Sequence, residues 1–460
     1  MLLGVLGRSL AGCDRPPEHP REPHAIPATS IIAITRVAVV DVVQGRLLPD
    51  QTVIVGGTQI VSVGPTAETS IPAGAAVVDG TGRFLSPGFA DMHVHLYTEG
   101  DLFTYVANGV TTVRNMAGDS THLRMRRQVN EGVIVGPRIV TAGPVVEAAP
   151  LSHPDNALVE RPSGVRAELT RQKAAGYDFV KVYNHLDRTV YDSVVAIASE
   201  LGMPVSGHVP LEVGLEHALA LRQRSIEHFR GYVQALMPSG RPLPHNASFR
   251  DRSVAWERID TLRIPALVAR TVASGVWNVP TFAFTKHELS PTTEHAGLVT
   301  RPEVRYLSLQ GLPTDRATTS YLKEFKEPDF AATQRGLAGQ FRLLRALDAA
   351  GAGILAGTDS WLAGYAFADE MELLVRAGLT PARVLRAATL DASRYLGEEQ
   401  LWGTVAVGRR ADLVLLDTNP LIDVAAARRV HAVVVNGRLL RRADLDARLS
   451  ALAGTLRTRR

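Results

Sequence analysis

The stretch PGFADMHVHL, residues 87–96, marks the point at which the pattern of the sequence changes. Residues 31–86 before it consist of short β-type runs separated by turn residues, including the pair Gly56 and Gly57, which indicates a hairpin. After it, strand-like apolar runs alternate with helical stretches, which is typical of a parallel sheet. His93 and His95 lie two residues apart, so on a strand both side chains point to the same side.

Strand-like runs recur along the chain after residue 87. The eight runs are GFADMHVH, VTTVRNM, RIVTAGPVV, FVKVY, PVSGHV, SIEHF, WNVPTFAF and GILAGTDS. Eight βα units predict an α/β fold, a (β/α)₈ TIM barrel over residues 87–402. Because β-type runs return afterwards, we predict a small β-sandwich domain built from both chain ends, residues 31–86 and 403–445, followed by a C-terminal tail at 446–460.

The composition is that of a soluble globular protein, with 45% hydrophobic and 21% charged residues among 460. The formal net charge of +4 is small for this length, and no basic run suggests a nucleic-acid partner. We therefore expect a small-molecule partner, and the sequence leaves open whether the chain forms a homo-oligomer.

The N-terminal segment LLGVLGRSLAGC ends at Cys13, the single cysteine of the chain. Residues 1–13 resemble a bacterial lipoprotein signal, in which the cysteine after the cleavage site is lipidated, and the Pro-rich residues 14–30 would be a flexible linker. This predicts a membrane tether through Cys13 and a periplasmic or cell-surface location. The alternative is a frayed N-terminus with a chance cysteine in a cytoplasmic protein.

Side chains of the metal-ligand type stand at the carboxyl ends of five of the predicted strands. They are His93, His95, Lys181, His208, His228 and Asp359. In a closed barrel the carboxyl ends of all strands converge on one mouth, where the active sites of this fold lie. Each residue alone has a simpler explanation, such as a hydrogen-bonded core histidine or an aspartate in a turn. Together they indicate a metal centre.

The motifs on these strands resemble those of the amidohydrolase superfamily over nearly the whole chain. The matching segments are PGFADMHVHL, FVKVY, GHV, IEH, GTDS and LLVRAGLTPARVLRAATLDASRYLG followed by GTVAVGRRADLVLLD. The resemblance is to the binuclear members with a carboxylated lysine, in the subgroup of imidazolonepropionase-like proteins and Xaa-Pro dipeptidases. The segment GHVPLE departs from the dipeptidases, which tend to carry a tyrosine just after this histidine.

The resemblance implies two divalent metal ions, of which Zn²⁺ suits imidazole and carboxylate ligands best. His93, His95 and Asp359 would hold one ion and His208 and His228 the other. Lys181 would bridge them as a carbamate, which a lysine can form because burial supplies its neutral amine, whereas arginine cannot. This accounts for a lysine inside an apolar strand.

The implied reaction is hydrolysis of an amide bond, in a dipeptide or N-acyl amino acid, by a metal-bridging hydroxide. Asp359 and Lys181 would be the catalytic residues, with Asp359 taking the proton of the attacking water. The alternatives are a lactonase, carboxylesterase or organophosphate esterase using the same centre, or a non-catalytic scaffold relative.

Further residues near the predicted strand ends are candidates for supporting roles. Asp91 either orients a ligand or is a turn residue. The candidates for binding a substrate carbonyl or carboxylate are Tyr97, His153, Tyr183 and Arg230. Insertions at 230–257 and 285–329 read as irregular, and we expect them to form a lid over the pocket.

Overall fold

A computed structural model of the chain describes residues 31–244, 246–308 and 321–458, with side chains up to 456. The strands of the N-terminal part are β1 (Ile31–Asp41), β2 (Arg46–Gly56), β3 (Gln59–Pro65), β4 (Ala76–Asp79) and β5 (Phe84–Pro87). Those of the middle part are β6 (Phe89–Val94), β7 (Val110–Asn115), β8 (Arg138–Thr141), β9 (Val146–Glu147), β10 (Ala157–Leu158), β11 (Val180–Val182), β12 (Val205–Gly207), β13 (Ser225–Glu227), β14 (Trp277–Val279) and β15 (Gly353–Ile354). The C-terminal part has β16 (Leu413–Leu416), β17 (Val430–Val435) and β18 (Arg438–Arg441).

Helices separate most of the middle strands. They are α1 (Glu99–Ala107), α2 (Ser120–Asn130), α3 (Pro162–Ala175), α4 (Arg188–Glu200), α5 (Leu215–Ala220), α6 (Tyr232–Ala235), α7 (Phe249–Ala255), α8 (Ile264–Ser274), α9 (Phe282–His287), α10 (Thr292–Val299), α11 (Glu327–Ala349), α12 (Ala366–Arg376), α13 (Pro381–Ala387), α14 (Leu390–Tyr395) and α15 (Arg442–Thr458). Shorter 3₁₀ turns lie at Trp256–Arg258, Thr261–Arg263, Pro302–Tyr306 and Val424–Arg428.

Both ends of the described chain contribute to one mixed sheet of eight strands, in the order β18-β17-β16-β5-β1-β2-β3 with β4 beside β1. Alternate residues of its strands face different cores, as the pleat requires. Leu413 and Leu415 pack in a cluster with Ile32 and Val53, whereas Val414 joins the large core that it shares with the helices and parallel strands. Strands from both ends of the described chain therefore form one mixed sheet around its own apolar cluster, whereas the sequence predicts a sandwich, and the domain bounds stay predictions.

The middle of the chain forms two parallel sheets, β6-β7-β8 and β10-β9-β11-β12-β13-β14-β15. Each of the eight predicted strand runs contains at least one of these strands. A parallel bridge between Ala142 and Phe179 joins the end of β8 to the start of β11. The Met92 amide donates to the Ala356 carbonyl at 2.9 Å, which joins β6 to the segment after β15. The α/β class is confirmed. Three of the strands that carry candidate ligands, β11, β12 and β13, are neighbours in the larger sheet, and β15 follows them after β14.

The C-terminal segment predicted as a tail, residues 446–460, differs in the structure, where it continues the helix Arg442–Thr458. Leu445, Leu449 and Ala453 are buried on this helix and recur about every four residues, so they form one apolar stripe. The predicted signal at 1–13 with Cys13 and the linker at 14–30 lie outside the described residues and stay predictions. Among residues 31–244, 246–308 and 321–458, no helix combines the length and the apolar character that a membrane crossing needs.

The two insertions are more regular than the sequence suggests. Residues 230–257 contain α6 and α7, and the described part of 285–329 contains α10 and the turn Pro302–Tyr306. The Ser248 hydroxyl accepts a hydrogen bond from the amide of Asp251, so Ser248 is the N-cap at which α7 begins. Because polar residues surround it, this N-cap was not recognised in the sequence. The described parts of both insertions contain helices, and α7 packs against the long helix α11.

Candidate metal centre

His93 is the most completely buried member of the site. Its Nδ1 lies 2.8 Å from Glu227 Oε2, and since a carboxylate only accepts, Nδ1 carries the proton. The lone pair then resides on Nε2, which is buried and has no hydrogen-bond partner among the described residues. Burial lowers the pKa of His93 well below its usual value, so the ring is neutral. A buried imidazole lone pair without a hydrogen-bond partner is suited to binding a metal ion.

His95 and Asp359 complete a compact group with His93. One potential ligand atom from each of these three residues lies within 4.8 Å of the others. Asp359 Oδ1 is 3.3 Å from His95 Nε2 and 3.6 Å from His93 Nε2. Burial lowers the pKa of His95 to about 3, so this ring is neutral too. Two neutral imidazoles and a carboxylate make a donor set that fits a divalent cation.

Asp359 follows β15 in an unusual backbone conformation. Its φ of 47° lies in the left-handed region, which non-glycine residues rarely adopt and which is found preferentially at functional sites. Its amide donates to the His93 carbonyl at 2.8 Å, so the backbone conformation is held by β6. Burial raises the pKa of Asp359 to about 7, although the ammonium of Lys181 opposes that rise. The carboxyl group can therefore exchange a proton near neutral pH.

His208 and His228 form a second pair of imidazoles beside the first group. Their ring centroids are 5.1 Å apart, and the His228 ring is 4.6 Å from that of His93. His208 Nδ1 lies 2.8 Å from Asn184 Oδ1, and His228 Nδ1 lies 2.6 Å from Thr281 Oγ1. Burial lowers the pKa of both histidines well below the usual value. The second pair is thus also neutral, and each Nδ1 has a polar partner, which leaves Nε2 for a ligand.

Lys181 lies at the centre of the three-residue strand β11 and is 2% exposed. Its Nζ is 5.9 Å from the centroid of the Tyr183 ring. Burial lowers the pKa of Lys181 to about 8, although Glu227 and Asp359 favour its charged form. An amine with this pKa is partly neutral at physiological pH, and that form is the nucleophile that CO₂ requires.

A buried ion pair supports the first histidine. Arg114 Nη2 donates to both Glu227 oxygens, at 2.9 and 3.0 Å, and its Nε donates to the Met92 carbonyl at 2.6 Å. Arg114 and Glu227 are both fully buried. Partners of this kind orient a ligating imidazole and raise its basicity. Sequence reasoning missed Glu227, although it stands directly before His228 in IEH; Arg114 carried no signal at all.

Asp91 accepts hydrogen bonds from the backbone of His93 and from Thr358 rather than from a ligand ring. Its carboxylate accepts the amide and hydroxyl of Thr358, at 2.9 and 2.7 Å, and the amide of His93 at 3.3 Å. Asp91 therefore ties β6 to the residue before Asp359 and positions both ligand candidates through their backbones. Burial raises the pKa of Asp91 to about 7.

The four candidate substrate contacts separate into two groups. Tyr183 stacks on His208 with centroids 4.1 Å apart, and Arg230 lines a cavity with His228, so both lie beside the metal-ligand candidates. Tyr97 is 47% exposed. The exposed His153 lies 3.6 Å from Asp155 as its ion-pair partner. The structure thus brings the six ligand candidates together with Tyr183 and Arg230. Tyr97 is partly exposed, but burial and the charge of Asp359 raise the pKa of its phenol well above the usual value, whereas His153 lies at the surface.

Known proteins resemble this chain in sequence and in fold. Adenine deaminase 3 of Rhizobium meliloti is 24% identical over 411 residues, which are 87% of this chain and 56% of the deaminase. The chain spans between 11% and 56% of the length of the curated relatives that it matches, all of them named adenine deaminases. Bottromycin amidohydrolase is 28% identical with a TM-score of 0.70, and the match covers 93% of this chain and 91% of that one.

A more distant structure shows the same fold. A Xaa-Pro dipeptidase with methionine bound in its active site is 20% identical with a TM-score of 0.66, covering 90% of this chain and all of the dipeptidase. Residues 84–440 match the amidohydrolase family, from strand β5 to strand β18. This range contains all six ligand candidates and four of the eight strands of the mixed sheet. The chain therefore belongs to the amidohydrolase family.

Proposed function

We propose that this protein is a metal-dependent hydrolase that cleaves an amide bond in a dipeptide or an N-acyl amino acid. The observation that carries the proposal is the unpartnered Nε2 of His93, buried next to His95 and Asp359 among the described residues. A buried lone pair without a partner is costly unless something binds it. Membership of the amidohydrolase superfamily supports hydrolysis as the reaction class.

The residues for two divalent ions, most suitably Zn²⁺, are present. His93, His95 and Asp359 would hold one ion, His208 and His228 the other, with Lys181 between them as a carbamate. That carbamate would form when the neutral Nζ bonds to the carbon of CO₂ and releases one proton, so a neutral amine becomes an anion. When bound, the two ions supply a nucleophilic water at neutral pH and polarise the scissile carbonyl.

Asp359 is suited to move the proton of the reaction. Its Oδ1 faces His93 and His95, and its Oδ2 lies 3.6 Å from His228 Nε2, so the carboxyl group is turned towards both halves of the site. We propose that it accepts the proton of the attacking water and donates it to the leaving nitrogen. We also propose that Tyr183, which stacks on His208, donates a hydrogen bond from its hydroxyl to a substrate carbonyl.

We propose that the two parallel sheets form one closed barrel of eight strands, which would support this assignment. The bridge Ala142–Phe179 and the hydrogen bond from Met92 to Ala356 join the sheets at both junctions. In a closed barrel all candidate ligands would stand around a single mouth. The mixed sheet would then be the second domain that accompanies the barrel.

A second candidate is the deamination of an aminopurine, since the curated relatives are named adenine deaminases. Amide hydrolysis is favoured because the match to bottromycin amidohydrolase covers 91% of that protein, whereas the deaminases are matched over 56% of their length or less. Lactones, carboxylesters and organophosphates remain a third class that the same residues would serve. A non-catalytic scaffold is disfavoured because all six ligand candidates are present.

The test combines metal analysis with a substrate panel. Elemental analysis of the purified chain should find about two divalent ions, and a strong chelator should abolish turnover, with recovery on adding Zn²⁺, Mn²⁺ or Co²⁺. The panel should contain dipeptides, N-acyl amino acids, adenine, lactones and aryl esters. Highest kcat/KM on adenine or on esters would overturn the amide assignment. Full activity of metal-free protein would overturn the metal centre.

A further inference from the structure

A small cavity beside His228 contains two arginine side chains. It is lined by Arg230 and Arg252 together with the aromatic residues Phe249, Trp256 and Phe284, and its water-accessible volume is about 40 Å³. A water needs roughly 10–15 Å³ on this measure, so the cavity has room for about three waters or for one group the size of a carboxylate. The cavity therefore offers a site for one small oxyanion next to the metal-ligand candidates.

Arg230 lacks a counterion in the part of the chain that the structure describes. Its Nε is buried without a hydrogen-bond partner, and its guanidinium carbon lies 4.7 Å from the centroid of the Phe249 ring. A cation–π contact of this kind contributes about 0.5–2 kcal/mol. Arg230 as a whole is half-buried, and removing the buried part of a guanidinium from water is costly unless an anion offsets it.

Arg252, on the inserted helix α7, also lacks a counterion among the described residues. It is 7% exposed, its Nη1 donates to the Ala247 carbonyl, and its Nε is buried with no partner among the described residues. Burial, followed by the positive charge of Arg230, lowers the pKa of Arg252. The neighbouring Asp251 is paired with Arg250 at 3.0 Å instead. Two like charges thus share one cavity, whose other polar lining groups are neutral side chains such as Gln234, Thr285 and Gln340.

Asp359 is the carboxylate whose charge acts on Arg230, but it does not neutralise the pair. It favours the charged form of Arg230 without an ion-pair contact to either arginine in the described residues. Its oxygens face the three imidazoles, and in the proposed function they are engaged there. The arginine pair therefore needs an anion that arrives from outside.

We infer that Arg230 and Arg252 together bind the carboxylate of the substrate, which makes α7 a specificity element. The inference rests on the proposed function and narrows it to amides that carry a free carboxylate, as opposed to neutral purines, lactones or esters. In a dipeptide or an N-acyl amino acid the carboxyl carbon is two bonds from the scissile nitrogen. A carboxylate in this cavity is then bound beside His228 while the amide lies at the metal residues. Planar guanidinium groups suit carboxylates because they donate two parallel hydrogen bonds.

Binding of small probes tests the inference without requiring turnover. Thermal shift and isothermal calorimetry of the full chain should be measured with sodium propionate, with propionamide and with sodium phosphate at equal ionic strength. Propionate should bind and raise Tm, and propionamide should not. Because propionate also binds metals, the measurement is repeated after chelation, where its binding should persist. Equal effects of propionate and propionamide would overturn the inference. Tighter binding of phosphate would overturn it too, because the site would then recognise a phosphate group rather than a carboxylate.

Substitutions identify the residues. Arg230→Met and Arg252→Met should each raise the Kd for propionate roughly ten- to a hundredfold, because each removes a charge-assisted hydrogen bond. Arg258→Met, an exposed arginine shortly after α7, is the matched control and should leave the Kd unchanged. Without anion, Arg252→Met should leave Tm unchanged or raise it, since one of two repelling buried charges is gone. A lower Tm with an unchanged Kd would mark Arg252 as structural and overturn its role.

A further variant, Arg252→Lys, covers the case in which Arg252→Met does not fold. Arg252→Lys keeps the charge but loses the planar fork, so propionate affinity should fall about tenfold. Unchanged affinity in both Arg252→Lys and Arg230→Met would overturn the inference. Propionate binding without hydrolysis of any amide would contradict the proposed function alone. Hydrolysis of amides with no preference for a free carboxylate would contradict this inference alone.

Discussion

The two halves of the candidate metal centre are built from similar imidazoles but supported by different partners. His93 is backed by a carboxylate, Glu227, which is itself held by the buried guanidinium of Arg114. His208 and His228 are backed by the neutral groups of Asn184 and Thr281. A carboxylate partner raises the basicity of an imidazole more than an amide or a hydroxyl does. The comparison teaches that the His93 half should hold its ion more tightly than the His208 half.

The substitution Asp359→Asn should have the largest effect, because this residue faces both halves. The amide cannot accept the proton of the attacking water, so kcat should fall on the order of 100- to 10,000-fold. KM and Tm should change little. Steady-state kinetics and thermal melting measure this, with Asp412→Asn, a buried aspartate of the mixed sheet, as the control that keeps its activity. Near-normal kcat would show that Asp359 is only structural.

The substitution Glu227→Gln should damage the His93 half selectively. It leaves the charge of the buried Arg114 without a counterion, which costs about 3–5 kcal/mol of folding free energy. It also replaces the carboxylate partner of His93 by a neutral amide, which should weaken the first ion about 10- to 100-fold. Chemical denaturation and metal titration test these effects. Glu398→Gln is the matched control, since Glu398 also accepts a bidentate pair of hydrogen bonds from an arginine, Arg138, and has no hydrogen bond to a ligand candidate among the described residues. Equal loss of both ions would break the distinction between the halves.

The substitution Asn184→Ala should have the smallest effect of the three. It removes one neutral hydrogen bond to His208, worth roughly 0.5–1.5 kcal/mol, so affinity for the second ion should fall about tenfold or less. Asn184→Asp should restore the acceptor and strengthen binding beyond the wild type. If Asn184→Ala lowers metal affinity as much as Glu227→Gln does, the charge of the supporting partner does not set the difference between the halves.

Motifs with a fixed local geometry were predictable from the sequence. His93 and His95 are two residues apart on a strand. Lys181, His208, His228 and Asp359 each lie in or directly after a short apolar run. Strand periodicity and the convergence of parallel strand ends were enough to place these six side chains together. The α/β class and the sheet from both chain ends followed from the change of pattern around residue 87.

Pairings across long sequence separations were decided by the tertiary structure alone. Arg114 and Glu227 are 113 residues apart, and the cavity that joins Arg230 to Arg252 depends on how α7 packs after β13. Apolar and helical periodicity reports which face of an element is buried, but it carries no information on which buried polar groups meet. The C-terminal helix shows the same limit, since its stripe of Leu445, Leu449 and Ala453 is interrupted by charged residues and becomes a core face only through docking. The residue types of the ligands could therefore be predicted from the sequence, whereas the residues that support them could be identified only in the folded chain.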